Sequence, residues 1–284
     1  MRLLTWNIQW GCGLDGRVDL ARILRVARSF ADFDVLCVQE LADNFPRLTG
    51  NDERDQFAEL AALLPGYTCV KGYGTDVAGD NGRRRRFGNA IFSRYGVVSA
   101  RRHALPWPAD AGKESMGRVA VEAVLQAPMG AIRVTTTHLE YYSNVQRQAQ
   151  AQRLHALHEE ACARAAAPGY PTAEGGPFDA TALPTRAILT GDFNFPPENP
   201  AHGEIQRRLA GGGPPYRDTW QHLHGHRPHA PTFCVFDRRY SKAPYCCDFV
   251  FTSEDLLPRV RSIEVDGATQ ASDHQPVLLE LDDR

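Results

Sequence analysis

The chain has 284 residues, of which 43% are hydrophobic and 23% charged, an ordinary globular composition that excludes disorder and collagen-like repeats. Thirty-two Lys and Arg against 34 Asp and Glu leave a formal charge of -2, so no global positive field draws the chain onto nucleic acid or an anionic membrane. Seven cysteines, an odd number without a C-x-x-C pair, argue against a disulfide framework or a zinc ribbon. The start Met1-Arg2-Leu3-Leu4 lacks the apolar stretch of a secretory signal, and charged residues interrupt every apolar run well short of the ~20 residues that cross a bilayer. A soluble, cytoplasmic protein in a reducing compartment is expected.

In chain order, Arg2–Ile8 reads as a short apolar strand, and Asp19–Ala31 places Leu20, Ile23, Leu24, Ala27 and Phe30 at helical spacing. Asp34–Val38, apolar on both faces and broken by Gln39-Glu40, reads as a buried central strand. An amphipathic helix over Glu53–Leu64 stops at Pro65-Gly66. Strands follow over Tyr67–Lys71, Phe87–Ser93, Val97–Ala104, Gly117–Leu125 and Ala131–Leu139, and their succession without helices predicts antiparallel pairing. Ser143 caps a long helix to about Ala165, with Val145, Leu154, Leu157 and Ala161 expected inside. The Ala-, Pro- and Gly-rich Ala166–Pro184 reads as an exposed loop, followed by a strand at Arg186–Thr190 and a helix at Pro200–Leu209. Further strands are expected at Thr232–Phe236, Asp248–Thr252, Arg259–Val265 and Pro276–Leu281. This mixture of βα units and strand runs fits an α/β or α+β sandwich in one domain, 1–284, better than a doubly wound sheet.

Several of these strands begin or end in a residue type that carries chemistry: Asn7, Glu40, His138, Asp192 and the Asp273-His274 pair. Any one of them could simply be a solvated strand end; their recurrence is the signal. The ordered motifs Thr5-Trp6-Asn7, Gln39-Glu40, Gly88-Asn89-Ala90-Ile91, Thr137-His138-Leu139-Glu140, Gly191-Asp192-Phe193-Asn194, Asp248-Phe249-Val250-Phe251 and Ser272-Asp273-His274-Gln275-Pro276-Val277 span nearly the whole chain. In that order the chain resembles the endonuclease/exonuclease/phosphatase superfamily. The resemblance implies a DNase I-like, four-layer α/β/β/α sandwich and metal-dependent hydrolysis of phosphate esters.

Attack on a phosphoester builds charge on oxygens, which a hard cation with oxygen ligands neutralises. Glu40, with the amide oxygen of Asn7, suits Mg²⁺, with Mn²⁺ able to substitute, and the lack of a His/Cys cage speaks against zinc. The resemblance implies that Asp273 lies near the cation, that Asp192 and Asn194 orient the attacking water and the phosphate, and that His138 donates to a phosphate oxygen. It also pairs His274, a phosphate donor or general acid/base, with Asp248. Two departures stand out. Gln9 occupies the place where some relatives carry an Asp, which weakens the case for a second metal. Arg83-Arg84-Arg85-Arg86 stands where secreted nucleases have a Glu supporting the catalytic His, which leaves Asn89 as the nearby polar residue.

The four-Arg run is either a phosphate-gripping loop or a solvated one, and Arg118 is a further candidate for a phosphate contact. Tyr141 and Tyr142 could stack on a base, although packing beneath the site is the expectation. His222–His229 reads as a surface loop, and Cys246 and Cys247 as small apolar fillers. The expected partner is a phosphoester, nucleic acid or a small phosphorylated molecule, acted on by a monomer. A non-catalytic scaffold is the competing reading, opposed by the complete set of Asn7, Glu40, His138, Asp192, Asn194, Asp248, Asp273 and His274.

Overall fold

A computed structural model describes residues 1–169, 176 and 183–283. In chain order its elements are β1 (Arg2–Asn7), α1 (Leu20–Phe30), β2 (Val35–Asp43), α2 (Gln56–Leu63), β3 (Thr68–Ala78), β4 (Arg84–Ser93), β5 (Gly96–Ala104), β6 (Val119–Ala127) and β7 (Gly130–His138). These are followed by α3 (Asn144–Ala166), β8 (Ala187–Asp192), α4 (Pro200–Ile205), β9 (Tyr216–Asp218), α5 (Thr219–His224), β10 (Asp248–Ser253), β11 (Val260–Val265) and β12 (Val277–Leu281). The strands form two six-stranded sheets, β11-β12-β1-β2-β4-β3 and β5-β6-β7-β8-β10-β9.

Alternation along the strands sorts side chains into layers. Leu3, Val35, Cys37 and Ile91 of the first sheet meet Val121, Val134, Ile188 and Val250 of the second, while Leu4, Leu36 and Val38 point the other way, onto Leu20, Ile23 and Leu24 of α1 and Phe57 and Leu60 of α2. On the far side Ala151 and Leu154 of α3 and Ile205 of α4 cover Leu189, Phe249 and Phe251. The result is the expected helix–sheet–sheet–helix sandwich. Asp19, Asp55 and Ser143 cap their helices by accepting the amides of Arg22, Ala58 and Gln146.

Three expectations fail locally. Thr232–Phe236 forms no strand, only bridges from Phe233 to Tyr245 and His274, because Cys234 takes φ +55° and turns the chain out of the extended region. Val145 faces outward, 56% exposed, while Leu154, Leu157 and Ala161 are buried. Arg84–Arg86 lie within β4, paired with β3, rather than in a loop. Most of the expected Ala166–Pro184 loop lies outside the described residues.

Candidate active site

Strand direction gathers the chemistry at one end of the sandwich. β1 and β2 run parallel with Asn7 opposite Gln39, and β7 and β8 run parallel with His138 opposite Asp192, so four C-terminal ends coincide. β10 is antiparallel to β8 with Asp248 opposite Asp192, and β12 is antiparallel to β1, which brings the Asp273-His274 turn to the same end. Side chains lock the two sheets together there: Gln39 donates to the Thr136 hydroxyl at 2.8 Å and Asn89 to the Val119 carbonyl at 3.0 Å.

Two backbone irregularities aim the acids. The β2–β4 register shifts between Val38 and Leu41, and at this bulge Glu40 holds φ +63°, a conformation costly for a non-glycine residue and common where a side chain is aimed at a site. Gly191 takes φ +137°, and a Cβ there would meet the Thr137 carbonyl oxygen at 1.9 Å. Only glycine lets β8 approach β7 closely enough to set Asp192 beside His138.

Asp192 is the hub. Its Oδ1 accepts the Asn194 amide at 2.9 Å, and its Oδ2 accepts Asn7 Nδ2 at 2.9 Å while facing His138 Nε2 at 3.4 Å and His274 Nε2 at 3.6 Å. Asn7 Nδ2 also donates to Glu40 at 2.9 Å, and its Oδ1 accepts the Gln9 amide at 3.0 Å. Asn7 therefore turns its nitrogen to the carboxylates, and the oxygen expected at the cation is engaged elsewhere. Gln9 donates to Asp273 at 2.9 Å, supporting an acid rather than replacing one. His274 Nδ1 meets Asp248 Oδ2 at 2.9 Å, the sequence-paired dyad, while the buried Trp6 indole donates to the His274 carbonyl at 2.9 Å.

The two histidines are driven apart electrostatically. Burial, aided by the Arg118 guanidinium, pushes His138 down to about 3, so its imidazole is neutral. Burial would also lower His274, but the carboxylates of Asp248, Asp192 and Asp273 outweigh it and raise His274 well above the usual range, so it is an imidazolium. Burial and the Asp273 carboxylate push Glu40 up to about 7, and Asp273 is likewise raised by burial and by Asp192. Crowded carboxylates that repel one another are a donor set suited to a hard cation, and Glu40, His138 and Asp192 bring ligand atoms within 4.8 Å of one another. Glu40 and Asp192 supply carboxylate oxygens of the kind a hard divalent cation takes.

The other candidates divide. Arg118 is buried in the cleft wall, its Nε held by Glu140 at 3.2 Å and its Nη1 without a partner. Asn89 is spent on the inter-sheet bond and lines no part of the cleft. The four arginines do not line it either: Arg83 pairs with Asp43 and Glu53, Arg84 with Asp76, and Arg86 with Asp43 and Asp76, while Arg85 lies over the Phe45 ring. Tyr141 and Tyr142 line the cleft instead of packing beneath it, Tyr142 being 52% exposed. Cys246 and Cys247 are buried, as expected.

The histidine tract is not all surface loop. It begins in α5 and ends at His229, whose Nε2 meets Asp218 Oδ2 at 2.8 Å, beside His202 Nε2 at 2.7 Å. Although these three could surround an ion, Gln206 donates to His202 Nδ1 at 3.1 Å and accepts the Asp218 amide at 2.9 Å, which fixes the His202 proton on Nε2. Hydrogen bonding accounts for the group.

A model of the Endonuclease/Exonuclease/phosphatase family matches residues 4–274. Among solved structures, an endonuclease/exonuclease/phosphatase protein from Bacteroides vulgatus is 20% identical with a TM-score of 0.68, the match covering 99% of this chain and 98% of that one. The mannosyl-6-phosphatase of Bacteroides thetaiotaomicron is 18% identical with a TM-score of 0.65 and 99% coverage of both chains. A humanized TDP2 from D. rerio is 17% identical with a TM-score of 0.59, covering 98% of this chain and 97% of that one. No curated protein sequence matches. With the family model spanning nearly the whole chain and the two-sheet sandwich shared by these structures, the protein belongs to the Endonuclease/Exonuclease/phosphatase family.

Proposed function

We propose that this chain is a phosphoesterase that requires Mg²⁺, for which Mn²⁺ can substitute, and that it acts through the cleft around Asp192. The observation that carries the reading is the pair of histidines flanking one carboxylate oxygen, His138 Nε2 at 3.4 Å and His274 Nε2 at 3.6 Å from Asp192 Oδ2, with His274 held in turn by Asp248 at 2.9 Å. Environments that push two titratable groups apart mark donor and acid roles. Glu40 and Asp273 would hold the cation, with Asn7 bracing Glu40 against Asp192. When bound, the cation supplies neutralisation of charge developing on the phosphate oxygens.

The residues themselves do the rest. Asp192 and Asn194, fixed to one another and to the Leu139 carbonyl, orient the attacking water. The Arg118 guanidinium, which lines the cleft, and His138 donate to phosphate oxygens. As the water oxygen bonds to phosphorus and the ester P–O bond breaks, the His274 imidazolium gives its Nε2 proton to the departing oxygen, and Asp248 keeps the ring oriented. Seven cysteines, none of them paired, support a reducing, cytoplasmic setting.

The test is a turnover panel with and without Mg²⁺, covering plasmid DNA, abasic duplex, RNA, sphingomyelin, inositol phosphates and mannose 6-phosphate. Turnover of at least one, abolished by excess EDTA and restored by Mg²⁺, is expected, with Glu40→Gln needing at least tenfold more Mg²⁺ for half-activation. Undiminished activity in EDTA would overturn the metal requirement, and wild-type activation of Glu40→Gln would remove Glu40 from it.

A further inference from the structure

His274 is the inner end of a row of rings. Phe233 stacks on it with centroids 4.4 Å apart, Tyr240 lies 6.0 Å beyond Phe233 at a shallow angle of 27°, Tyr141 meets Tyr240 edge-on at 6.4 Å, and Tyr142 meets Tyr141 at 4.9 Å. The row climbs from the buried floor to the rim, where Tyr240 and Tyr142 are half exposed, at 50% and 52%. Phe87 of β4, with Trp10 and Phe45 from the segments that follow β1 and β2, lines the same cavity of about 410 Å³. The Trp10 indole is pinned to the Thr49 carbonyl at 2.9 Å, and Phe45 meets Phe87 edge-on at 6.0 Å. Among the described residues that line the cavity, Arg118 is the only Arg or Lys.

These features discriminate between substrates. One guanidinium in the cavity lining matches one phosphate, whereas a polyphosphorylated ring or a tracked nucleic-acid backbone takes several cations. A polyol needs side chains that pair with its hydroxyls, and away from the acids these walls present rings. Exposed rings converging on a reacting centre are suited to a flat apolar group, which they hold by stacking and edge contacts.

With the phosphate placed at Arg118 and His138 and its departing oxygen at His274 as proposed above, we infer that the cleft takes a phosphoester with a single ester group that bears one planar aromatic ring, laid along the exposed Tyr240 and Tyr142. A nucleobase and a phenol share that chemistry. Binding of non-hydrolysable phosphonates to the full chain in Mg²⁺, measured calorimetrically, tests this without turnover. Phenylphosphonate is expected to bind at least tenfold more tightly than butylphosphonate or the phosphonate analogue of glycerol 3-phosphate. The doubly substituted Tyr142→Ala, Tyr240→Ala protein should lose that preference while holding butylphosphonate within about twofold of the wild type. Equal affinity for phenyl and butyl, or an undiminished preference in the doubly substituted protein, overturns the inference. The phosphonate analogue of a 5′-nucleotide separates the two sources: tighter binding than phenylphosphonate indicates a nucleobase, weaker binding a phenol. Aromatic preference in a protein that hydrolyses no phosphoester would sink the proposed hydrolysis and leave the inference standing. Hydrolysis without aromatic preference would do the reverse.

Discussion

The Thr232 hydroxyl donates to Asp248 Oδ2 at 2.6 Å, the same oxygen that meets the His274 ring. The Thr232 oxygen in turn accepts the amides of Cys247 and Asp248 at 3.1 and 3.2 Å, and the Thr232 carbonyl accepts the Gln275 amide at 2.7 Å. One residue thus clamps both the strand that carries Asp248 and the turn that carries His274, and it positions the dyad without touching the reacting atoms. Thr232→Val, which keeps the shape and removes the hydroxyl, should lower kcat roughly 10- to 100-fold with KM within about twofold, and Thr232→Ser should recover most of the loss. Steady-state kinetics on the best substrate decide this. A Val variant with wild-type kcat would show that Asp248 needs no such support.

His274 and Asp248 should behave as one unit. Each of His274→Ala and Asp248→Asn is expected to cost roughly a thousandfold in kcat, with the double substitution costing little more than either alone. Strict additivity in log rate would return Asp248 to a purely structural role.

Arg118 and the four-Arg run should separate cleanly. Arg118→Ala removes the cleft's buried guanidinium and should lower kcat/KM at least tenfold, with Lys restoring little because it cannot hold Glu140 and a phosphate in one plane. Replacing Arg83, Arg84, Arg85 and Arg86 together with Ser should leave KM within about twofold at low salt, since none of them lines the cleft, Arg83, Arg84 and Arg86 being paired with Asp43, Glu53 and Asp76 and Arg85 lying over the Phe45 ring. Surface pairs of this kind contribute about 0–1 kcal/mol each, so the loss should emerge as a modest drop in denaturation midpoint. A large rise in KM would restore the run to the substrate site.

The Asp218 group predicts an acid-range dependence of stability. Burial alone would raise this carboxyl, but hydrogen bonds from His202 and His229 hold it down at about 2, below its ordinary 3.8. A depressed carboxylate contributes stability that is fully present above the unfolded value and is lost as pH falls through the folded one. The contribution is on the order of 2 kcal/mol at neutral pH. Urea unfolding of wild type and Asp218→Asn should therefore differ by about that much or more at pH 6, with the gap narrowing between pH 4 and 2. A constant gap would mean that Asp218 acts through its shape and not its charge.

Much of this protein was legible locally. Strand interiors such as Leu3–Trp6 and Asp34–Val38, the Ser143 cap and the burial of Leu154, Leu157 and Ala161 in α3 follow from periodicity and backbone hydrogen-bond demand, which short windows of sequence encode, whereas the burial of Gln146, Arg147 and Gln150 in place of Val145 does not. The seven ordered motifs carried the family and the dyad, because a reaction fixes residue types at the ends of strands whose order the chain preserves. Short elements such as β9 and α5 escaped: three and six residues are too few to display a period. Tertiary structure alone decided how polar groups spend their bonding capacity. The sequence cannot say that Asp43 and Asp76 pair with Arg83, Arg84 and Arg86, that Asn89 ties one sheet to the other, or that Asn7 shows its nitrogen to Glu40. Nor can it say that Phe233 lies on His274, 41 residues away in the chain, because the partners in each case come from strands brought together by the sheet-on-sheet packing. Charge state followed the same rule: His138 and His274 are the same residue type, and only the carboxylates and the guanidinium that folding places around them make one neutral and the other cationic.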